Sequence, residues 1–327
     1  MSSEPQCSQS ADRPLGGRLD LSQSDLKHVI GSRMKSETSE SVRPKYRELG
    51  RTGICLFPVG LGAMPLSMQG RPDEALALAV IHAALDAGMN FIDTANVYCS
   101  NDNDIGHNER LIQEALKSRG MTEAVTVATK GGVDRRQRRV DASPKFLRES
   151  CINSLRALER EAVTLYQLHS PDDEVPLEDS VGELSRLMEE GKILHVGLCN
   201  VTIAELRRAQ EIVRIESVQN SCHPFSAVDY SDGMLTVCDK EGVSFLPHSV
   251  IGGKPLCATV VQHPVLIDLG EKYSVGPYAV VVAWHLAKST RVIPIPGASR
   301  PESTVSSASA ACLKLAPDEV SRIDAIH

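Results

Sequence analysis

The chain has 327 residues, 42% of them apolar and 24% charged, and a net charge of −7. It is long enough for two ordinary domains or one large α/β barrel, and it can bury a sizeable core. The acidic balance argues against nucleic acid or an anionic membrane as the main partner, and no run approaches the ~18 apolar residues of a membrane span.

Residues 1–44 stand apart. They hold ten serines with six basic and six acidic side chains, and no apolar run that a secretory signal would need. This composition predicts a solvated, flexible N-terminal extension, with LSQSDLKHVI (21–30) as its one short helical candidate. The nine cysteines are scattered and form no CxxC pair. Such usage fits a reducing, cytoplasmic setting better than a disulfide framework.

From residue 45 to 327 short apolar runs alternate with helical periodicity. YRELGRTGICLFPVG reads as a small hairpin that closes a floor. Strands are predicted at LFPVGL (56–61), NFIDT (90–94), AVTVATK (124–130), AVTLYQLH (162–169), ILHVGL (193–198), ESVQN (216–220), VSFLPH (243–248) and RVIPIP (291–296). Helical stretches lie between them, and in SPKFLRESCINSLRAL Ser143 stands as N-cap before a proline at the first helical position. Eight such alternations predict a single (β/α)8 TIM barrel, and no GxGxxG follows an early strand to suggest a doubly wound dinucleotide fold.

In a barrel the reactive groups sit where strands end. Asp93 ends the second predicted strand, Tyr98 lies just beyond it, Lys130 ends the third and His169 ends the fourth. Taken singly each has a plain structural role: a turn cap, a solvated lysine, a core histidine. Together at successive strand ends they make a proton-transfer site. A phenol with a pKa of about 10 is a poor acid near neutrality. A lysine at ~4 Å favours phenolate by ~4 kcal/mol at an effective dielectric of about 20, equivalent to about three pH units before burial opposes it. Asp93 would hold Lys130, and His169 would orient a substrate oxygen. Hydride transfer from a nicotinamide is the natural partner reaction.

These segments resemble the aldo-keto reductase family. GMNFIDTANVY with GHNERLIQEAL resembles its aspartate and tyrosine motif, ATKGG its lysine segment and YQLHSPD its histidine segment. GKILHVGLCN, SVQNS and VIPIPGASRPES follow in the family's order, and the resemblance spans residues 46 to 326. It implies Asp93, Tyr98, Lys130 and His169 as the catalytic set. It implies Asn200 and Gln219 against the nicotinamide carboxamide, with Phe245, two residues before Pro247, stacked on the ring. Ser299, Arg300, Ser303 and Ser307 fall in the loop that takes the adenosine end, where Arg300 favours NADPH over NADH. Cys199 stands where a serine is common, Ser303 where a histidine or arginine is frequent, and Ser307 where an asparagine or glutamate usually sits.

The implied activity is NADPH-dependent reduction of an aldehyde or ketone, or the reverse oxidation of an alcohol such as a sugar alcohol. The expected partner is a small-molecule carbonyl compound, and a homo-oligomer is compatible with the sequence. An alternative stays open: the family includes nucleotide-binding regulatory subunits that act through a protein partner. Asp102, Asp104, His107 and Glu109 lie close together but lack the spacing of a calcium loop or an HExxH helix, so no metal is expected. DRRQRR (134–139) reads as a solvated run or as a source of one arginine for an anionic substrate. His223 and His248 follow strands and are candidate pocket residues. So are Met64, Leu66 and the loops 99–107, 131–139 and 221–228.

Overall fold

A computed structural model describes residues 44–326; the predictions for residues 1–43, including the helical candidate at 21–30, lie outside them. The described chain opens with the floor hairpin, Arg47–Glu48 antiparallel to Cys55–Leu56. Seven parallel strands then follow in sequential order: β1 (Leu61–Gly62), β2 (Phe91–Asp93), β3 (Thr126–Gly131), β4 (Val163–Leu168), β5 (Ile193–Cys199), β6 (Ile215–Gln219) and β7 (Ser244–Phe245). Leu56 thus belongs to the hairpin, and β1 begins later than the pattern predicts.

The segment 291–297 supplies the eighth stave without forming a regular ladder. Ile293 N–H donates to Phe245 O (2.9 Å) on one side, and Pro294 O and Pro296 O accept from Gly60 N–H (2.9 Å) and Gly62 N–H (3.0 Å) on the other. Pro294 and Pro296 have no N–H to return, so at these two residues the stave contributes acceptors alone. A Cβ at Gly62 would sit 2.6 Å from Ile295 O, so the close approach of β1 to this segment requires glycine.

The connecting helices form the outer layer: α1 (Glu74–Asp86), α2 (His107–Ser118), α3 (Pro144–Leu158), α4 (Leu177–Glu189), α5 (Ile203–Gln210), α6 (Met234–Glu241), α7 (Gly253–Gln262), α8 (Pro264–Tyr273), α9 (Pro277–Lys288), α10 (Pro301–Ser309) and α11 (Pro317–Asp324). Their starts follow from local chemistry. Ser143 accepts from Phe146 N–H ahead of Pro144, Asp73 caps α1, and Thr202 with Glu205 forms a capping box on α5. α10 packs on α1 and completes the ring. No helix among the described residues is long and apolar enough to cross a membrane.

Strand residues alternate between two cores, as the period of two demands. Ile92, Val127, Tyr166, Val196, Val218 and Phe245 face the helices. Leu49, Leu56, Phe91, Ala128, Leu165, Leu246, Ile293 and Ile295 fill the barrel interior, with Leu49 and Leu56 coming from the floor hairpin. The apolar interior ends one residue pair higher along the strands, and there the chain turns polar.

Candidate active site

Asp93 follows Phe91 on the inward face of β2, and Lys130 follows Ala128 on β3. Both side chains are buried, and Lys130 Nζ donates to Asp93 Oδ1 at 2.5 Å. The ammonium also donates to Thr94 O (2.9 Å) and to the phenol oxygen of Tyr98 (3.1 Å). Each of its three protons therefore has an acceptor. Burial is the largest single effect on Lys130 and acts to lower its pKa, but Asp93 and Tyr98 together outweigh it and leave the pKa raised. The ammonium is locked in its charged form.

Asp93 Oδ2 takes two further donors, Gln219 Nε2 (2.8 Å) and Gln167 Nε2 (3.1 Å). Gln167 follows Leu165 on the inward face of β4 and had no place in the sequence-derived site. Its position two residues before His169 was the available signal. Room for it comes from Gly197, where a Cβ would lie 2.9 Å from Gln167 Cγ and 2.3 Å from Ser217 Oγ. Cys199 is buried beside the same amide, with Sγ 3.7 Å from Gln167 Oε1. Gln219, expected against a carboxamide, here donates from Nε2 to Asp93 Oδ2 (2.8 Å) and to Gln167 Oε1 (3.3 Å).

Tyr98 and His169 form the rim of this polar layer, edge to face with ring centroids 5.9 Å apart. Burial raises the Tyr98 pKa, and the Lys130 charge opposes without overcoming it. The lysine charge alone would bring the phenol down; in the folded chain desolvation is the larger effect. Burial also pushes the His169 imidazole down to about 3, reinforced by Lys130 and His248, so the ring is neutral across the physiological range. Its Nδ1 is buried without a hydrogen-bond partner.

Asn200 lies exposed just past β5 with a left-handed backbone (φ 56°). Its Nδ2 donates to His169 O (2.9 Å), and its Oδ1 accepts from His248 Nε2 (3.1 Å). His248 comes to the rim because it shares the inward face with Leu246. Phe245 has the opposite parity: it is fully buried in the helical layer, 5.7 Å from the Tyr230 ring, and so is not brought to the mouth. Pro247 is buried beside it in sequence. The structure thus places the Phe245 ring in the helical layer, away from the mouth where stacking was expected, and brings His248 to the rim.

Ser299, Arg300 and Ser303 are exposed and Ser307 is half-buried along the start of α10. Arg300 is the N-cap residue and makes no ion pair among the described residues, which leaves its guanidinium free. The acidic insertion is spent on internal contacts. Asp104 pairs with Arg71 (2.8 Å) and Arg110 (3.4 Å), and His107 Nδ1 meets Ser67 Oγ at 2.8 Å. DRRQRR folds as a hairpin, Val133–Asp134 against Arg139–Val140.

The sequence profile of the aldo/keto reductase family matches residues 58–327. A probable aldo-keto reductase 1 of Glycine max is 29% identical over 309 residues, covering 84% of this chain and 87% of the relative. The glycerol dehydrogenase of Gluconobacter oxydans superposes with a TM-score of 0.73 at 26% identity, covering 88% of this chain and 95% of that one. An aldo/keto reductase from Klebsiella pneumoniae, solved with NADP and acetate, gives the same TM-score at 24% identity over 86% and 95% of the two chains, a likeness of fold.

Proposed function

The chain belongs to the aldo/keto reductase family, and from that premise we propose that it reduces an aldehyde or ketone with NADPH, Tyr98 giving the proton. The observation that carries this reading is the Lys130 ammonium, shared between the Asp93 carboxylate and the Tyr98 phenol at the top of the barrel. A family of this chemistry acts on carbonyl and alcohol groups. The 26% identical glycerol dehydrogenase supports reading the reaction in both directions.

The residues present fit a dinucleotide. Asn200 offers an exposed amide at the rim for the carboxamide, and Arg300 offers an unpaired guanidinium beside the first N–H groups of α10. Ser299 and Ser303 add exposed hydroxyls, and Ser307 lies one helical turn further along. A free arginine fork favours the extra phosphate of NADPH over NADH. When bound, the dinucleotide supplies the hydride that becomes the new C–H bond.

The chain's own groups handle the proton. Tyr98 donates its phenolic hydrogen to the carbonyl oxygen as that oxygen gains charge. Lys130 stabilises the phenolate left behind, and Asp93, braced by Gln167 and Gln219, keeps the ammonium in place. Neutral His169 offers an N–H to the substrate oxygen and aims the carbonyl. The phenolate is reprotonated from solvent after the alcohol leaves.

Tyr98→Phe tests the assignment. The variant should lose about 10²–10⁴ in kcat/KM for aldehyde reduction. NADPH binding, followed by nicotinamide fluorescence, should stay within about twofold because the ring remains. Turnover within about tenfold of the unmodified protein would sink the role of Tyr98.

A further inference from the structure

The basic run at 134–139 has no part in the chemistry above, and its arginines are not alike. Arg136 and Arg138 are exposed, with no ion pair among the described residues. Arg139 is exposed and paired with Asp141 (3.1 Å) and Glu174 (3.7 Å). Arg135 alone is drawn inward, its side chain 25% exposed. Its Nε is buried with no hydrogen-bond acceptor, and its one ionic neighbour is Asp102 Oδ1 at 3.5 Å, longer than a hydrogen bond. Asp102 is itself 56% exposed.

The backbone fixes this placement. Asp134 Oδ1 accepts from Arg136 N–H (2.9 Å) and Gln137 N–H (3.1 Å), and Arg138 closes the turn with a left-handed φ of 54°. Arg135 is therefore held inward chiefly by the hairpin, with Asp102 as a loose ionic neighbour. The hairpin leaves β3 directly after Lys130 and Gly131, and Asp102 belongs to the loop that follows Tyr98. The positive charge of Arg135 is felt at Cys99, the residue after Tyr98. Arg135 thus lies between the loop that carries the proton donor and the hairpin that follows the lysine-bearing strand. A planar fork of five donors with one loose partner is matched to a carboxylate or phosphate. Asp104, the other acid of the insertion, is already taken by Arg71 and Arg110.

We propose that Arg135 reads an anionic oxygen group on the substrate, so that the preferred carbonyl compound carries a carboxylate or phosphate at the end remote from its aldehyde or ketone. This rests on the reductase reading for the carbonyl and on the hairpin geometry for the anion. Asp102 is the group the anion displaces.

The test compares 4-formylbenzoate and 4-formylphenyl phosphate with the neutral methyl 4-formylbenzoate, first by calorimetry on the protein loaded with oxidised NADP+, which has no hydride to give, and on the nucleotide-free protein. At least one anion should bind tenfold or more tighter than the ester, and the tighter of the two names the group. Arg135→Gln should remove that preference and leave ester binding within twofold. Arg135→Lys, which keeps charge without the fork, should fall between, and Arg136→Gln should match the unmodified protein. Equal binding of anions and ester, a loss shared by all three compounds, or weakened NADPH binding with unchanged anion binding would overturn the proposal. Turnover of the same compounds is a separate reading. Binding that depends on Arg135 without reduction would keep the anion site and remove the reductase assignment.

Discussion

His169 and Tyr98 differ in what burial does to them. Desolvation, aided chiefly by the Lys130 charge, holds the imidazole near 3 and keeps it uncharged, while desolvation raises the phenol despite Lys130. Reduction needs the phenol protonated, so kcat/KM should stay level from about pH 5 to about 9 and fall only on the alkaline side. Oxidation of the alcohol needs phenolate and should rise over that same alkaline limb. A descent centred near pH 6.5 in the pH–rate profile would instead assign the step to a histidine. Asp93, Tyr98, Lys130 and His169 were legible because each closes or follows an apolar run. Gln167 was not, since a glutamine inside YQLH carries no motif of its own. Phe245 and His248 were separable in principle: Leu246 and His248 share one parity, and Phe245 has the other. The aromatic type of Phe245 was a weaker guide than its position.

At the level of the element, α2 carries a carboxylate that it buries at a cost. Glu109 is 1% exposed, and although Thr129 Oγ1 donates to its Oε1 (2.6 Å), burial is the larger effect and raises its pKa to about 7. In the unfolded chain the group titrates near 4.3. Between those values the folded state holds the proton and the unfolded state has lost it, so stability falls as pH climbs from about 4.5 to about 7. The loss is at most about 4 kcal/mol. Glu109→Gln should flatten that slope and stabilise the protein at pH 8 by about 1–3 kcal/mol. Urea unfolding at pH 5 and pH 8, with unchanged m, measures it.

Elements with capping chemistry and a strong apolar stripe, such as α3 behind Ser143, were readable from the chain. α7 and α8 were not. Gly252 and Gly253 are both left-handed, Pro255 sits in the first turn, and α7 buries only Val260, so no periodic stripe announces it. His263 then ends α7 and caps α8 with no linker between them. The strand-like RVIPIP was recognised, but the ladder it implies is thinned by its own prolines.

At the largest scale, the barrel is drawn shut by contacts between its floor hairpin and its last strand segment. Arg47, from the floor hairpin, donates to Leu286 O (2.7 Å), Ser289 O (2.8 Å) and Val292 O, and Arg291 donates back to Gly50 O (2.7 Å). Burial lowers the Arg47 pKa only to about 10, so it stays charged at neutral pH. Arg47→Met would keep much of the apolar stem and leave three carbonyls without their donor. It should cost about 2–4 kcal/mol, read as a lower urea midpoint, with kcat/KM little changed. The (β/α)8 order was legible at this scale because alternation of strand and helix is a pattern of the whole chain; the stitch was not, since it joins residues about 240 positions apart. Closure also has a kinetic face. Across the join of β1 to the proline-bearing segment the amide protons of Gly60 and Gly62 are held by proline carbonyls. Deuterium uptake at those glycines is therefore a clock for the opening of the barrel wall. Because the segment continues past Gly297 into Arg300, any ligand that settles there will slow that clock from the far side of the seam.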